Sequence, residues 1–136
     1  MKFAQVVFIA AGMWGIAFLI PLYFLLDETG PHYASPPAYL QFFYGFFSVA
    51  MAWQIAFLVI GSNPARFRPL MLPSIVEKFS FVTAVAVLYS QTRISATDAT
   101  AALPELLLGV LFTLAFAKTR ALNGPCTWAT LGLVKR

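Results

Sequence analysis

Charge is what this sequence has least of. Of its 136 residues only 10% are charged, nine basic and five acidic, alongside one histidine and one cysteine. A water-soluble domain carries about 25% charged residues, so too few are present to cover a surface that faces water. A single cysteine, Cys126, excludes an intrachain disulfide and any multi-cysteine metal site. A single histidine, His32, means that a histidine-based metal centre needs ligands from another chain. Glycine-rich phosphate loops, a nucleophile elbow, HExxH and CxxC are all missing, which removes the common soluble catalytic classes. The basic residues form no stripe interleaved with exposed aromatics, so nucleic acid is not an expected partner.

Apolar side chains make up 60% of the chain, and 14 of them are phenylalanine. The hydrocarbon core of a bilayer is about 30 Å thick, and a helix crosses it with roughly 20 mostly apolar residues. Four runs meet that length: 3–26, 38–60, 70–91 and 99–117, followed by a tail over 118–136. In lipid the backbone must satisfy its own polar groups, which makes these runs helices. The expected fold is all-α: one domain, an integral membrane four-helix bundle with antiparallel neighbours. The first run exceeds the apolar core of a cleaved signal and reads as a retained helix, with Pro21 kinking its outer end. Asp27 to Pro31, Ser35-Pro36-Pro37, Gly61 to Pro64 and the polar stretch Thr92 to Thr100 separate the runs. Asp98 is expected to cap the fourth helix, with Pro104 and Glu105 in its early turns.

Lysine and arginine orient such a chain. Lys2, Arg66, Arg68, Lys118, Arg120, Lys135 and Arg136 fall on one side of the four spans, against Arg93 alone on the other. Both termini and the Arg66–Arg68 connection are therefore expected in the cytoplasm. Seven against one also disfavours insertion in two opposite orientations.

Ionisable residues inside a bilayer are costly and mark candidate sites. Here they are Glu77 and Lys78, with Gln54 in the preceding run. Gln54 and Glu77 lie equally far from the Ala65–Arg66 turn, so they are expected at similar depth and within reach of one another. Glu77 and Ser80 share a helix face, and Arg66 and Arg68 stand at the same mouth. A cytoplasm-facing polar pocket of Gln54, Glu77 and Ser80, rimmed by Arg66 and Arg68, is one reading. Lys78 is turned away by about 100°, and its stem is expected to snorkel toward the headgroups. Two structural readings stand beside it. Gln54 and Glu77 form a clasp between helices worth roughly 0.6–2 kcal/mol, or Glu77 and Lys78 are interfacial and Pro73 marks the true start of the third helix. Tyr39, Phe42, Phe43 and Tyr44 read as an aromatic belt, Trp128 as a tail marker at the interface, and Gly12 and Gly15 beside Trp14 as a close-packing patch.

Tyr44-Gly45-Phe46, Ala52-Trp53-Gln54, Asn63-Pro64-Ala65-Arg66-Phe67-Arg68-Pro69-Leu70-Met71 and Glu77-Lys78 resemble a pattern in small bacterial four-helix membrane proteins of unknown function. Those proteins are loosely similar to the DoxX-like group, some members of which are associated with quinone-linked or redox membrane complexes. The resemblance covers roughly residues 40 to 90. It implies a bacterial inner membrane and carries no catalytic residue. Three functions follow as expectations. The first is a protein that binds an apolar or lipid-like molecule such as a quinone, or an accessory subunit to a membrane partner. The second is a membrane enzyme with Glu77 as acid or base and Gln54 orienting it. The third is a small-solute transporter built as a homo-oligomer.

Overall fold

A computed structural model of the chain describes residues 2–29 and 37–119, without the side chains of 25–29, 37–40 and 43. His32, Cys126, Trp128 and the tail from residue 120 lie outside the described residues. So do the side chains of Tyr39 and Phe43.

The described chain is all helical. It runs through α1 (Lys2–Thr29), α2 (Pro37–Ser62), α3 (Arg68–Ser90), the short α4 (Ala96–Thr100) and α5 (Ala102–Lys118). Lys2–Phe24, Tyr44–Ser62, Arg68–Ser90 and Ala96–Lys118 are each long and apolar enough to cross a membrane. At 1.5 Å per residue, a segment of 23 residues reaches about 35 Å, enough for the hydrocarbon core.

The helix ends follow from local chemistry. After Ser62 the side chain of Asn63 accepts the Arg66 N–H at 3.2 Å, and the Asn63 carbonyl accepts the Phe67 N–H at 3.0 Å. The chain thus turns before Pro69, which suits the first turn of a helix. α3 therefore starts at Arg68 and carries Pro73 inside it, which removes the reading in which Pro73 begins the helix. At its other end, Arg93 N–H reaches the Leu88 carbonyl and Thr92 N–H the Tyr89 carbonyl. This is the paired closure of a Schellman motif, with Thr92 at φ 55° where glycine is usual.

Ser95, not Asp98, caps the next helix. The Ser95 hydroxyl accepts the Asp98 N–H, and the Asp98 carboxylate accepts the Ser95 N–H, each at 3.2 Å. Asp98 is the third-residue partner of a capping box. A turn at Ala101 then separates α4 from α5. Pro104 lacks the N–H that the Thr100 carbonyl would receive, which accounts for the interruption.

The helices associate as two hairpins. α1 lies along α2 and α3 along α5, the hairpins meet mainly through α1 and α5, and α2 touches α3 only sparsely. The buried core is concentrated toward the end that holds Lys2, the 63–67 turn and Thr119: Ala4, Phe8, Ala11, Phe57, Ile60, Met71, Phe112 and Ala115. Phe8 and Phe112 stack with ring centroids 4.2 Å apart, and the edge of Phe57 meets Phe112 at 4.9 Å. Beyond Lys78, no residue of α3 from 79 to 90 is buried.

Candidate functional site

Lys78 is the eleventh of the 23 residues of α3, and Glu105 the tenth of the 23 in the Ala96–Lys118 span. Both therefore stand near mid-depth of segments long enough to cross a bilayer. The buried face of α3 runs Met71, Ser74, Lys78, spaced three and four residues apart as one helix stripe requires. Ser74 closes its own hydroxyl onto the Leu70 carbonyl at 2.8 Å. Lys78 cannot satisfy itself in that way, and the structure supplies partners instead.

The Lys78 ammonium is 2.6 Å from Glu105 Oε2 on α5 and 3.2 Å from Glu77 Oε2 on its own helix. It also donates to Glu77 Oε1 at 3.4 Å. Glu77 Oε2 lies within ion-pair distance yet has no aligned hydrogen-bond donor. The Phe57 ring from α2 stands 5.1 Å from the ammonium, adding a weak cation–π attraction. Gly109 makes the approach possible. A Cβ placed there would stand 3.3 Å from Lys78 Cβ and from the edge of Phe79. Glu105 is one turn from Gly109 on the side away from the 63–67 turn. The ammonium is therefore held between α3 and α5, with 4% of its side chain exposed, where the sequence suggested a stem reaching out of the bundle.

The cluster is asymmetric in two respects. It sets two carboxylates against one ammonium. Its lysine is closed off, with 4% of the side chain exposed, while Glu77 and Glu105 keep 27% and 30%. Burying such a pair carries a desolvation cost that its attraction need not offset, so helix pairing alone is a weak reason for it.

The other expected site residues are placed elsewhere. Gln54 is buried, but against α1: its amide oxygen fills the space above Gly15, and its carbonyl would be 2.9 Å from a Cβ at Gly12. Its amide nitrogen donates to the Ala50 carbonyl at 3.2 Å. Gln54 and Glu77 thus form neither a clasp nor a shared pocket wall, because α2 turns this face to α1 while α3 turns its polar face to α5. Ser80 is exposed and donates to the Glu77 carbonyl at 2.9 Å, so it neighbours Glu77 through the backbone. Arg66 is exposed, 5.6 Å above Phe67. Arg68 donates from Nε to the Thr119 carbonyl at 2.8 Å and lies 3.8 Å above the Phe116 ring. Arg68 is nine residues before Glu77, about 14 Å along the helix, so the two arginines do not reach the acidic cluster.

Reading the sequence missed Glu105 as a partner because a fourth helix starting at residue 99 places it near the helix entrance. Reflecting Lys78 about the 91–95 turn would have found it, since the mirror position lies beside Gly109.

One open groove of about 330 Å³ lies on the first hairpin, between Leu19, Tyr23 and Phe24 of α1 and Phe47, Ser48 and Met51 of α2. Its walls are apolar, and the Ser48 hydroxyl donates to the Tyr44 carbonyl at 2.9 Å. No family model, curated protein or solved structure matches this chain. What the fold and site define is a class: an all-helical chain with four segments able to cross a membrane and a lysine–glutamate cluster midway along two of them.

Proposed function

We propose that the chain is a multi-pass protein of a bacterial inner membrane with both termini in the cytoplasm, and that it works by binding. Its partner is an apolar or lipid-like small molecule, such as a quinone, or another membrane subunit that it serves as an accessory. The Glu77–Lys78–Glu105 cluster is the contact. One observation carries this reading: a buried ammonium near mid-span is flanked by two carboxylate side chains that are each still partly exposed, Glu77 by 27% and Glu105 by 30%. Lipid tails cannot hydrogen-bond a carboxylate, so the exposed part of each calls for a polar group of a ligand or a neighbouring subunit. A polar head on an apolar body meets both demands.

Transport by a single protomer is disfavoured by Phe8, Phe57 and Phe112, which are fully buried and fill the interior toward the 63–67 end. A transporter would have to be a homo-oligomer. Catalysis by Glu77 as acid or base would use the same cluster, but without Gln54 to orient it, since Gln54 faces α1.

The test is native mass spectrometry of the protein released from mild detergent, comparing the parent with Glu105→Gln. A small molecule or subunit that accompanies the parent and is lost from the variant supports the proposal. A parent that emerges bare and monomeric, or a companion held equally by both, contradicts it.

A further inference from the structure

The end of the bundle away from the acidic cluster presents cations that, among the described residues, have no carboxylate partner. Lys2, Arg66 and Lys118 are exposed and Arg68 is half-buried. They come from α1, the 63–67 turn, α3 and the close of α5, at the same end of the bundle. Lys118 Nζ lies 4.7 Å above the Phe3 ring, next to Lys2. Arg68 lies above Phe116 while its Nε caps Thr119. Among the described residues no carboxylate forms an ion pair with any of the four; the ion pairs present belong to Lys78.

The sequence offers no remedy. Its five acidic residues are Asp27, Glu28, Glu77, Asp98 and Glu105, and residues 120–136 add Arg120, Lys135 and Arg136 without an aspartate or glutamate. The nearest of the five in α3, Glu77, is about 14 Å along the helix from Arg68. The carbonyls at the C-terminus of α5 contribute partial negative charge, but not enough to offset four full charges.

We infer that Lys2, Arg68 and Lys118 form a binding site for the headgroup of an anionic phospholipid, with Phe3 and Phe116 at the level of its glycerol and upper acyl carbons. Charge complementarity selects the occupant. A phosphodiester carries the missing negative charge, and Arg68, with Nε committed to Thr119, still has both Nη groups to offer a phosphate. Phe3, 38% exposed beneath Lys118, offers an apolar surface that acyl carbons can cover and a free anion cannot. The site is independent of the acidic cluster and lies at the opposite end of the buried face of α3.

The experiment uses the full chain, delipidated in mild detergent and offered equal amounts of dioleoylphosphatidylglycerol and dioleoylphosphatidylcholine. Retained lipid is counted by native mass spectrometry. The parent is expected to retain the anionic lipid preferentially. Each surface cation contributes a factor of about five, so Lys2→Gln/Lys118→Gln should reduce that preference roughly 25-fold. Both positions are exposed, and Lys2→Arg/Lys118→Arg is expected to restore the preference. Equal retention of the two lipids by the parent, or an unchanged preference in the glutamine variant, overturns the inference. Displacement of the lipid by an excess of inorganic phosphate also overturns it, because the site would then recognise phosphate alone.

Discussion

Lys78 Nζ and Glu105 Oε2 meet 2.6 Å apart across the α3–α5 interface, near the middle of two segments each long enough to cross a bilayer. Two facts about this contact govern what can be expected of the protein. Lys78 is sealed from its surroundings, and the pair is part of a trio in which negative charge is in excess.

Lys78→Met leaves two carboxylates facing each other without their ammonium. Breaking a buried pair by removing one member costs about 3–5 kcal/mol, and this substitution should fall in that range. Replacing the whole set by neutral groups avoids the unpaired charge. Glu77→Gln/Lys78→Met/Glu105→Gln should therefore unfold at nearly the temperature of the parent while losing its companion molecule. Thermal unfolding in one detergent, followed by helical circular dichroism, compares the three proteins. A triple variant less stable than Lys78→Met would mean that the cluster serves chiefly to hold the helices.

The first hairpin depends on a different fit. The Gln54 amide oxygen occupies the space where a Gly15 side chain would begin. Gly15→Val should push α2 away from α1 and cost about 1–3 kcal/mol, as overpacking of a close contact does. Gly15→Val/Gln54→Ala should recover part of that loss, because the obstructing amide is gone. Equal stabilities of the single and double variants in the same unfolding assay would contradict this packing.

Thr92 holds φ 55° at the close of α3, a conformation that a β-branched residue adopts only at a cost. Its hydroxyl donates to the Gln91 carbonyl at 2.7 Å, which offsets part of the strain. Thr92→Gly should leave the Schellman closure intact and raise stability by about 0.5–1 kcal/mol. A lower unfolding temperature would show that the hydroxyl contact outweighs the strain.

Much of the fold was legible because each spanning helix announces itself by length and apolarity alone. The ends expected at 3–26, 38–60 and 70–91 differ from the observed Lys2–Thr29, Pro37–Ser62 and Arg68–Ser90 by one to three residues. The fourth was less clear. Pro104 splits it into α4 and α5, and the start at Ala96 rather than 99 follows from the Ser95 cap. Pairing between helices was far less legible. Gln54 and Glu77 were matched because α2 and α3 are consecutive, yet consecutive helices need not lie along each other. Gly12 and Gly15 gave α1 the surface on which Gln54 could settle, and Gly109 gave α5 the surface for Lys78. Small residues decided which helices came close, and the polar residues followed. Glycine spacing was visible in the sequence; which partner each glycine would admit was not.

Site-directed spin labelling along α3 tests most directly whether the Glu77–Lys78–Glu105 cluster lies deep within lipid. In a Cys126→Ser background reconstituted in bilayers, single cysteines from Leu70 to Ser90 carry a nitroxide at exposed positions such as Val76, Ser80 and Phe81. Collision with oxygen should rise, and collision with a water-soluble nickel chelate fall, from both ends toward the level of Lys78. Chelate collision at Val76 and Ser80 equal to that at Ser90 would contradict the account.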